Sequence, residues 1–216
     1  MHKLRDASLA ALVLTTAFVT MCASALAGEP RTHDGFLLRL SGGAGYGSTS
    51  VDAPPGTFGS AQTEIVNFEL SGASGDFNFA IGGVVSPNLA VHGTMWGWLV
   101  SSPDVKLDGA TQGTASDANV SVSAYGAGIT YYFTPINIYL SPSIGFAIGS
   151  IEEGGTTFST DTGVAIDATV GKEWWVGDGW GIGVAGAVGW HSVPDGGIDE
   201  KWSGPALAVR FTATMN

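Results

Sequence analysis

A regular alternation of short turns and long polar loops most constrains how this chain can fold. Three short turns are marked by proline, asparagine, aspartate and glycine, at 86–88, 134–137 and 177–179. Longer polar stretches lie between them, at about 48–70, 102–118, 151–161 and 193–203. The remaining segments predict four hairpins, roughly 35–85, 89–133, 138–176 and 180–216, with every long loop at the same end. The chain therefore reads as eight up-and-down strands.

Residue alternation within these strands indicates one apolar face and one face of small or polar residues. The fifth predicted strand is the clearest case, and one face of it carries Ile138, Leu140, Pro142, Ile144, Phe146 and Ile148. The alternate positions from Ser141 to Gly149 hold serine, glycine and alanine. Successive side chains of a strand point to opposite faces, so this strand has an apolar side and a small-residue side. The third and fourth strands, around Trp96 and Tyr125, carry apolar residues on both faces and leave their orientation open.

Strand length and turn pattern together favour a membrane barrel. Most of the predicted strands exceed the roughly 9 to 11 residues that a tilted strand needs to cross the hydrocarbon layer. Apolar-out strands with short turns at one end and long loops at the other are typical of bacterial outer-membrane barrels. We therefore predict an all-β fold, an eight-stranded antiparallel up-and-down transmembrane β-barrel. A soluble lipocalin-like barrel is the alternative, and it is disfavoured because only 12% of the residues are charged.

The first 27 residues have the pattern of an export signal. His2, Lys3 and Arg5 precede a mostly apolar stretch, and Ala25-Leu26-Ala27 supplies the small residues that a signal peptidase reads. We expect cleavage after Ala27, which makes 1–27 a signal peptide and 28–216 the barrel domain. An uncleaved membrane anchor is the alternative. The single cysteine, Cys22, falls within the signal, so we expect no disulfide in the mature domain.

Charge and glycine content bear on other classes of protein. The formal net charge is −11 and the mature segment contains no basic run, which excludes a nucleic-acid binder that displaces counterions from phosphates. Glycine accounts for 33 of the 216 residues. In an eight-stranded barrel the interior is just wide enough for side chains, so small inward residues leave room for a few large ones. A dinucleotide-binding loop at 181–186 is disfavoured because no helical pattern follows it.

Aromatic residues near both ends of the strands predict two interfacial girdles, because Trp and Tyr favour the membrane–water interfaces. Near the turn end we assign Phe36, Tyr131, Phe133, Tyr139, Trp174 and Trp180. Near the loop end we assign Tyr46, Trp96, Trp98 and Trp190.

A few large polar residues fall on the inward side of the strands and predict a charged network in the lumen. The network consists of Arg39, Asp167, Glu173 and Arg210, with Asn78, His92 and His191 as further members. The first and last strands meet where the barrel closes, so we expect Arg39 and Arg210 to lie close together. Buried charges need partners, which favours a structural plug. The alternative is a narrow gated pore.

The strand order, the alternation and the aromatic positions resemble the small outer-membrane barrels of the OmpA and OmpX type, and more loosely the porin-like barrel domains of Gram-negative bacteria. The resemblance covers the mature chain and rests on pattern, without a diagnostic motif. It implies insertion into a bacterial outer membrane by the barrel assembly machinery, which reads the final strand, 204–216. Outer-membrane lipids and lipopolysaccharide are then the expected partners, and we expect a monomer.

The functional hypothesis that follows is a structural or surface-interaction role with no catalysis, no cofactor and no metal. A solute pore is the first alternative. A lipid A-modifying barrel enzyme is the second, because His191 and Ser192 lie near Asp195. Adjacent residues on a strand point to opposite faces, which disfavours a catalytic pair. The acidic loops have oxygen ligands that suit divalent cations, but their spacing matches no calcium-binding loop.

Overall fold

The computed structural model describes residues 33, 35–57, 62–197 and 199–215; the predicted signal peptide and its cleavage site lie outside these ranges. The described chain forms strands β1 (Phe36–Ala53), β2 (Val66–Ser86), β3 (Leu89–Ser101), β4 (Asp104–Leu107), β5 (Ala110–Thr114), β6 (Ala118–Phe133), β7 (Ile138–Glu153), β8 (Thr156–Ser159), β9 (Gly163–Trp175), β10 (Trp180–Pro194) and β11 (Lys201–Met215). Within the described ranges, a search for a helix long and apolar enough to cross a membrane finds none.

Eight of the strands close into a ring. Their order is β1, β2, β3, β6, β7, β9, β10 and β11, and β11 pairs with β1 to complete the circle. Every neighbouring pair is antiparallel. The predicted eight-stranded antiparallel barrel is thereby confirmed, including its three short turns at one end.

The strands extend further at the loop end than the sequence predicts. The expected loop at 48–70 is largely strand, because β1 continues to Ala53 and β2 begins at Val66. The expected loop at 102–118 contains the β4–β5 hairpin, and β4 pairs with β2 beyond the end of β3. These segments are rich in polar residues, which is the pattern of a loop. Their backbones still form strand-to-strand hydrogen bonds, because a polar side chain that points outward into water does not interrupt backbone pairing.

The outward face of the barrel has two zones. Towards the turn end it is a continuous apolar surface, which we call the apolar band; examples are Leu40 and Tyr46 on β1, Phe146 on β7 and Leu207 and Val209 on β11, all exposed. Towards the loop end the outward positions become polar, and we call this zone the polar wall. It comprises Ser48, Ser50, Asp52, Asn67, Glu69, Ser71, Ser101, Asn119, Ser121, Ser123, Ser150, Glu152, Ser192, Lys201 and Ser203.

The interior changes in the opposite sense at about the same level. Inside the apolar band the inward residues include arginine, aspartate, histidine and many hydroxyls. Inside the polar wall they are mainly valine, alanine and tryptophan, packed as one core. The loop-end part of the barrel thus has the polarity of a water-soluble protein, and the turn-end part has that of a membrane barrel.

Candidate functional site: the filled lumen

The largest charged cluster in the lumen is centred on Arg210 of β11. Its guanidinium forms buried ion pairs with Asp76 of β2 and with Asp167 of β9, the latter at 3.0 Å between Nη2 and Oδ2. Nη1 also donates to Asp167 Oδ1 at 3.0 Å and to the Thr169 hydroxyl at 2.8 Å. Buried charges are tolerated when they are paired and hydrogen-bonded, as they are here. The cluster therefore links three strands across the middle of the lumen.

Arg39 of β1 forms a second, separate cluster nearer the turn end. Its Nη2 donates to the Thr130 hydroxyl at 3.2 Å and to the Ser141 hydroxyl at 2.7 Å. The guanidinium lies 4.6 Å from the centroid of the Tyr139 ring, a cation–π distance. His92 joins the cluster, with Nε2 at 3.0 Å from the Thr130 hydroxyl.

The expected proximity of Arg39 and Arg210 is wrong. Arg39 is opposite Thr214 in the β1–β11 ladder, whereas Arg210 is opposite Gly43. The two positions are thus four residues apart in register. At ~3.3 Å per residue, the Cα atoms of the two arginines are separated by roughly 13 Å along the strands. Each arginine is accommodated by its own set of partners.

The turn end of the lumen is closed by a third group of side chains. Glu173 of β9 is fully buried and accepts a hydrogen bond from the Thr214 hydroxyl at 2.6 Å. His33, which precedes β1, stacks on Tyr132 with ring centroids 3.4 Å apart. Its Nε2 lies 2.6 Å from Asn137 Oδ1 in the turn after β6. This group fills the turn end of the lumen.

Asn78 and His191 also lie inside the barrel. Asn78 donates to the Thr94 hydroxyl at 3.3 Å. His191 is buried near the loop end, with Nε2 at 2.9 Å from the Thr49 hydroxyl. Ser192, the neighbouring residue, faces outward on the polar wall, so these two residues are on opposite faces of β10.

The loop end of the lumen is filled by apolar side chains, which we call the apolar cap. Its buried members are Leu70, Trp96, Trp98, Val100, Val120, Val122, Ala124, Ala147, Ala165 and Val193. Phe68 and Trp202 pack against it, with their rings 5.8 Å apart in an edge-to-face arrangement. Between the cap and the Arg210 cluster lies a cavity of about 20 Å³, which is room for one water molecule.

Three of the ten residues assigned to the aromatic girdles lie in the interior instead. Trp96 and Trp98 are 5% exposed and belong to the apolar cap, and Tyr139 is fully buried beside Arg39. Inward glycines make room for two of these rings. A Cβ on Gly47 would lie 2.6 Å from the Trp98 ring, and one on Gly171 would lie 2.4 Å from the Tyr139 ring.

The other seven girdle residues lie on the outward face. Trp174 is partly exposed, and the exposed ones are Phe36, Tyr46, Tyr131, Phe133, Trp180 and Trp190.

Sequence reasoning missed Asp76, the second acid of the Arg210 cluster, although a signal was present. Asp76 lies two residues before Asn78 on β2, so the two side chains point to the same face, and the sequence predicts Asn78 to point inward. The same reasoning places Trp96 and Trp98 inside the barrel, because they lie on the same face of β3 as His92. The hydrophobic character of the two tryptophans concealed this, since an apolar residue inside a membrane barrel departs from the general pattern.

The ionisable groups do not form an evident metal centre. Across the described ranges, no group of three or more histidine, cysteine, aspartate or glutamate side chains is placed to hold a metal ion. Asp76 and Asp167 share Arg210 as their ion-pair partner.

Known proteins resemble this chain in structure only. No family model and no curated protein sequence matches it. Among solved structures, Neisserial surface protein A matches with a TM-score of 0.55 and 12% identity, over 86% of this chain and 98% of that chain.

Two further structures match with lower TM-scores. The outer membrane protein OprG from Pseudomonas aeruginosa has a TM-score of 0.46 and 9% identity, over 86% of this chain and 98% of that one. Ail of Yersinia pestis has a TM-score of 0.36 and 11% identity, over 83% of this chain and 99% of that one. The fold of the small outer-membrane β-barrels, which the resemblance implied, is therefore confirmed.

Proposed function

We propose that this protein is an integral outer-membrane barrel with a closed lumen, and that its role is structural or surface-interacting rather than transport or catalysis. The apolar band supports a position within a bilayer, because its exposed leucine, valine and phenylalanine side chains would be costly in water. The fold shared with Neisserial surface protein A supports the outer membrane as that bilayer.

The observation that carries the proposal is the filling of the lumen at three levels. His33 and Tyr132 close the turn end of the lumen, the ion-paired Arg210 cluster occupies its middle, and the apolar cap fills the loop end. A solute path needs a continuous hydrated channel. The cavity between the middle and the cap has room for about one water.

The remaining parts of the proposal rest on the sequence pattern and on the resemblance to the small outer-membrane barrels. Export with cleavage after Ala27, insertion by the barrel assembly machinery and a monomeric state are included in it. Contact with lipopolysaccharide is expected where the polar wall meets the outer leaflet. Interaction with other molecules would use the loops and the hairpins β4–β5 and β7–β8, because function on a rigid scaffold concentrates in its exposed connections.

Electrical recording from planar lipid bilayers tests the closed lumen. Folding is verified first by the shift in gel mobility between unheated and boiled samples, and insertion is verified by co-flotation of the protein with vesicles of the same lipids. We expect no discrete conductance steps from the inserted protein, while an open porin recorded in the same bilayers gives them. Reproducible steps from the inserted wild-type protein would establish the alternative, a narrow solute pore.

A further inference from the structure

The short strand β8 has one hydrogen-bonded edge and one open edge. Among the described strands it pairs with β7 alone, over four residue pairs from Glu153–Thr156 to Ser150–Ser159. Each strand of the ring, by contrast, pairs with a neighbour on both sides. All four residues of β8 are exposed. A strand edge with unpaired N–H and C=O groups can accept a further strand from another chain.

The register of the β7–β8 hairpin shows which backbone groups lie on the open edge. Two glycines at positive φ form its turn at 154–155, and such a two-residue turn closes on a hydrogen-bonded pair. Further along the same ladder, the Thr160 N–H donates to the Gly149 carbonyl at 3.0 Å. Hydrogen-bonded pairs alternate with non-bonded pairs in an antiparallel ladder. The backbone groups of Thr157 and Ser159 therefore point away from β7.

The side chains around the open edge are an aromatic ring and two acids. Phe158 is 63% exposed, although it lies at the loop end beyond the apolar band. It is opposite Ile151, which packs against the apolar cap, so both side chains are on the inner side of the hairpin. Glu152 is opposite Thr157 on the outer side, and Asp161 follows the strand. Both acids are exposed, and within the described ranges neither forms an ion pair.

The second open edge, that of β5, has different chemistry. β5 pairs with β4 alone, across a two-residue turn at 108–109. Thr111 occupies the position that corresponds to Thr157, and it is opposite Lys106 rather than an acid. The β4–β5 register also shifts between Val105 and Lys106. The β8 edge thus combines a regular register with an acid at this position, and the β5 edge does not.

We propose that β8 binds an extended, cationic segment of a partner polypeptide, which adds to the sheet as a further strand. Its backbone pairs with Thr157 and Ser159, and one of its apolar side chains contacts Phe158. Its lysine or arginine side chains lie towards Glu152 and Asp161. Backbone hydrogen bonds supply affinity in this mode of binding, and alternate side chains supply specificity.

The charge around the edge decides between a cationic partner and a second copy of this chain. Two β8 edges placed side by side would bring their acids together, and like charges on adjacent strands are destabilising. A cationic segment instead meets unpaired carboxylates. The inference rests on the proposed function, because it names the class of partner that a surface-interacting barrel would bind.

Peptide binding to the barrel in nanodiscs tests the site. The discs contain phosphatidylcholine alone, so the lipid has no net charge to attract the probe. The probe is a fluorescently labelled peptide that alternates lysine and valine, and fluorescence anisotropy measures its affinity. A second peptide has the same sequence with a methyl group on every backbone amide nitrogen. It keeps the charge and loses the hydrogen-bond donors.

Two proline variants separate the β8 edge from the rest of the surface. Thr157→Pro removes an N–H on the open edge and leaves the hydrogen bonds to β7, because proline is tolerated on the free side of an edge strand. Thr111→Pro is the matched control, since it makes the same change at the corresponding position of β5. Each protein is first shown to fold by its shift in gel mobility on boiling.

We expect the wild type and Thr111→Pro to bind the lysine–valine peptide equally well. Thr157→Pro should weaken binding about tenfold, equivalent to ~1.4 kcal/mol of binding free energy. Methylation of the peptide should weaken binding to the wild type by at least as much. Glu152→Gln should weaken binding about threefold at low salt, the size of an exposed ion-pair contribution.

Three outcomes would overturn the site. They are no binding of the lysine–valine peptide by wild type in discs, equal binding of the methylated and unmethylated peptides, and equal affinities of the two proline variants. The comparison of peptides uses only the wild type, so it decides the matter even if Thr157→Pro does not fold. Each outcome leaves the proposed function intact. Failure of the wild type to enter discs would instead refute the proposed function.

Discussion

Individual residues in the lumen owe their stability to partners on distant strands. Arg210 is satisfied only because Asp76 and Asp167 approach it from two other strands. Removing one member of a buried ion cluster leaves the others uncompensated. The cost of that change is usually larger than the net contribution of the cluster itself.

The first residue-scale prediction concerns this cluster. Arg210→Met should lower the free energy of unfolding by roughly 3–5 kcal/mol, because two buried carboxylates lose their counter-ion. Urea titration in detergent micelles, followed by tryptophan fluorescence, measures the change. Glu152→Gln on the polar wall is the control, because Glu152 is exposed, and it should leave the urea midpoint unchanged. A midpoint for Arg210→Met equal to that of wild type would contradict the structural role of the cluster.

The second residue-scale prediction concerns the fit of Tyr139 against Gly171. Gly171→Val should destabilise the barrel by about 1–3 kcal/mol, because the new side chain overlaps the buried ring. Adding Tyr139→Ala to the same molecule should recover part of the loss. Gly75→Val is the control, since a Cβ on Gly75 meets nothing within 4 Å. Equal urea midpoints for the Gly171 and Gly75 variants would show that this packing does not matter.

At the scale of elements, the β4–β5 hairpin extends the barrel wall beyond the end of β3. β4 pairs with β2 over four residue pairs, from Ser71–Asp104 to Phe68–Leu107. Lys106 Nζ lies 2.8 Å from Glu69 Oε1 on the same pair of strands. Burial raises the pKa of Glu69, but hydrogen bonds from Lys106 and Ser48 outweigh it and hold that pKa below its usual 4.5. The hydrogen bond with Glu69 raises the pKa of Lys106.

These shifts predict how the hairpin responds to pH. The Glu69 contribution is complete above pH 4.5 and is lost as pH falls through the lowered pKa, because the protonated carboxyl no longer attracts Lys106. Lys106 stays charged throughout this acidic range. Amide hydrogen exchange of β4 should therefore accelerate severalfold on acidification, after correction for intrinsic exchange rates. In Glu69→Gln, β4 should exchange fast at every pH, and a pH response identical to wild type would contradict this attachment.

The elements also show how far sequence reasoning reaches. Strand number, turn positions and the orientation of β7 follow from periodicity, because apolar outward and small inward residues alternate strictly from Leu140 to Gly149. The loop-side ends of β1 and β2 and the orientation of β3 cannot be predicted from that periodicity. Polarity inverts near the loop end, so Ser48 and Ser50 resemble a loop while Trp96 and Trp98 resemble a girdle. Partners such as Arg210 and Asp76 depend on the register between strands far apart in sequence, which a single sequence does not contain.

At the scale of the whole molecule, the barrel consists of two stacked regions of opposite polarity. The turn-end region is apolar outside and polar inside, and the loop-end region is polar outside and apolar inside. Burial in lipid explains the first and exposure to water explains the second. In the proposed membrane placement, the boundary between them, near Tyr46, Leu207 and Trp190, is where the membrane surface on the loop side meets the protein.

Cysteine scanning along β11 tests this boundary, and with it the membrane placement, most directly. Single cysteines replace Lys201, Ser203, Leu207, Val209 and Phe211 in turn in a Cys22→Ser background, and the reconstituted protein is exposed to a membrane-impermeant maleimide. We expect rapid labelling at positions 201 and 203. At 207, 209 and 211 we expect protection that unfolding in urea removes. Equal labelling at all five positions in lipid would contradict a membrane-spanning apolar band and the closed outer-membrane barrel built on it.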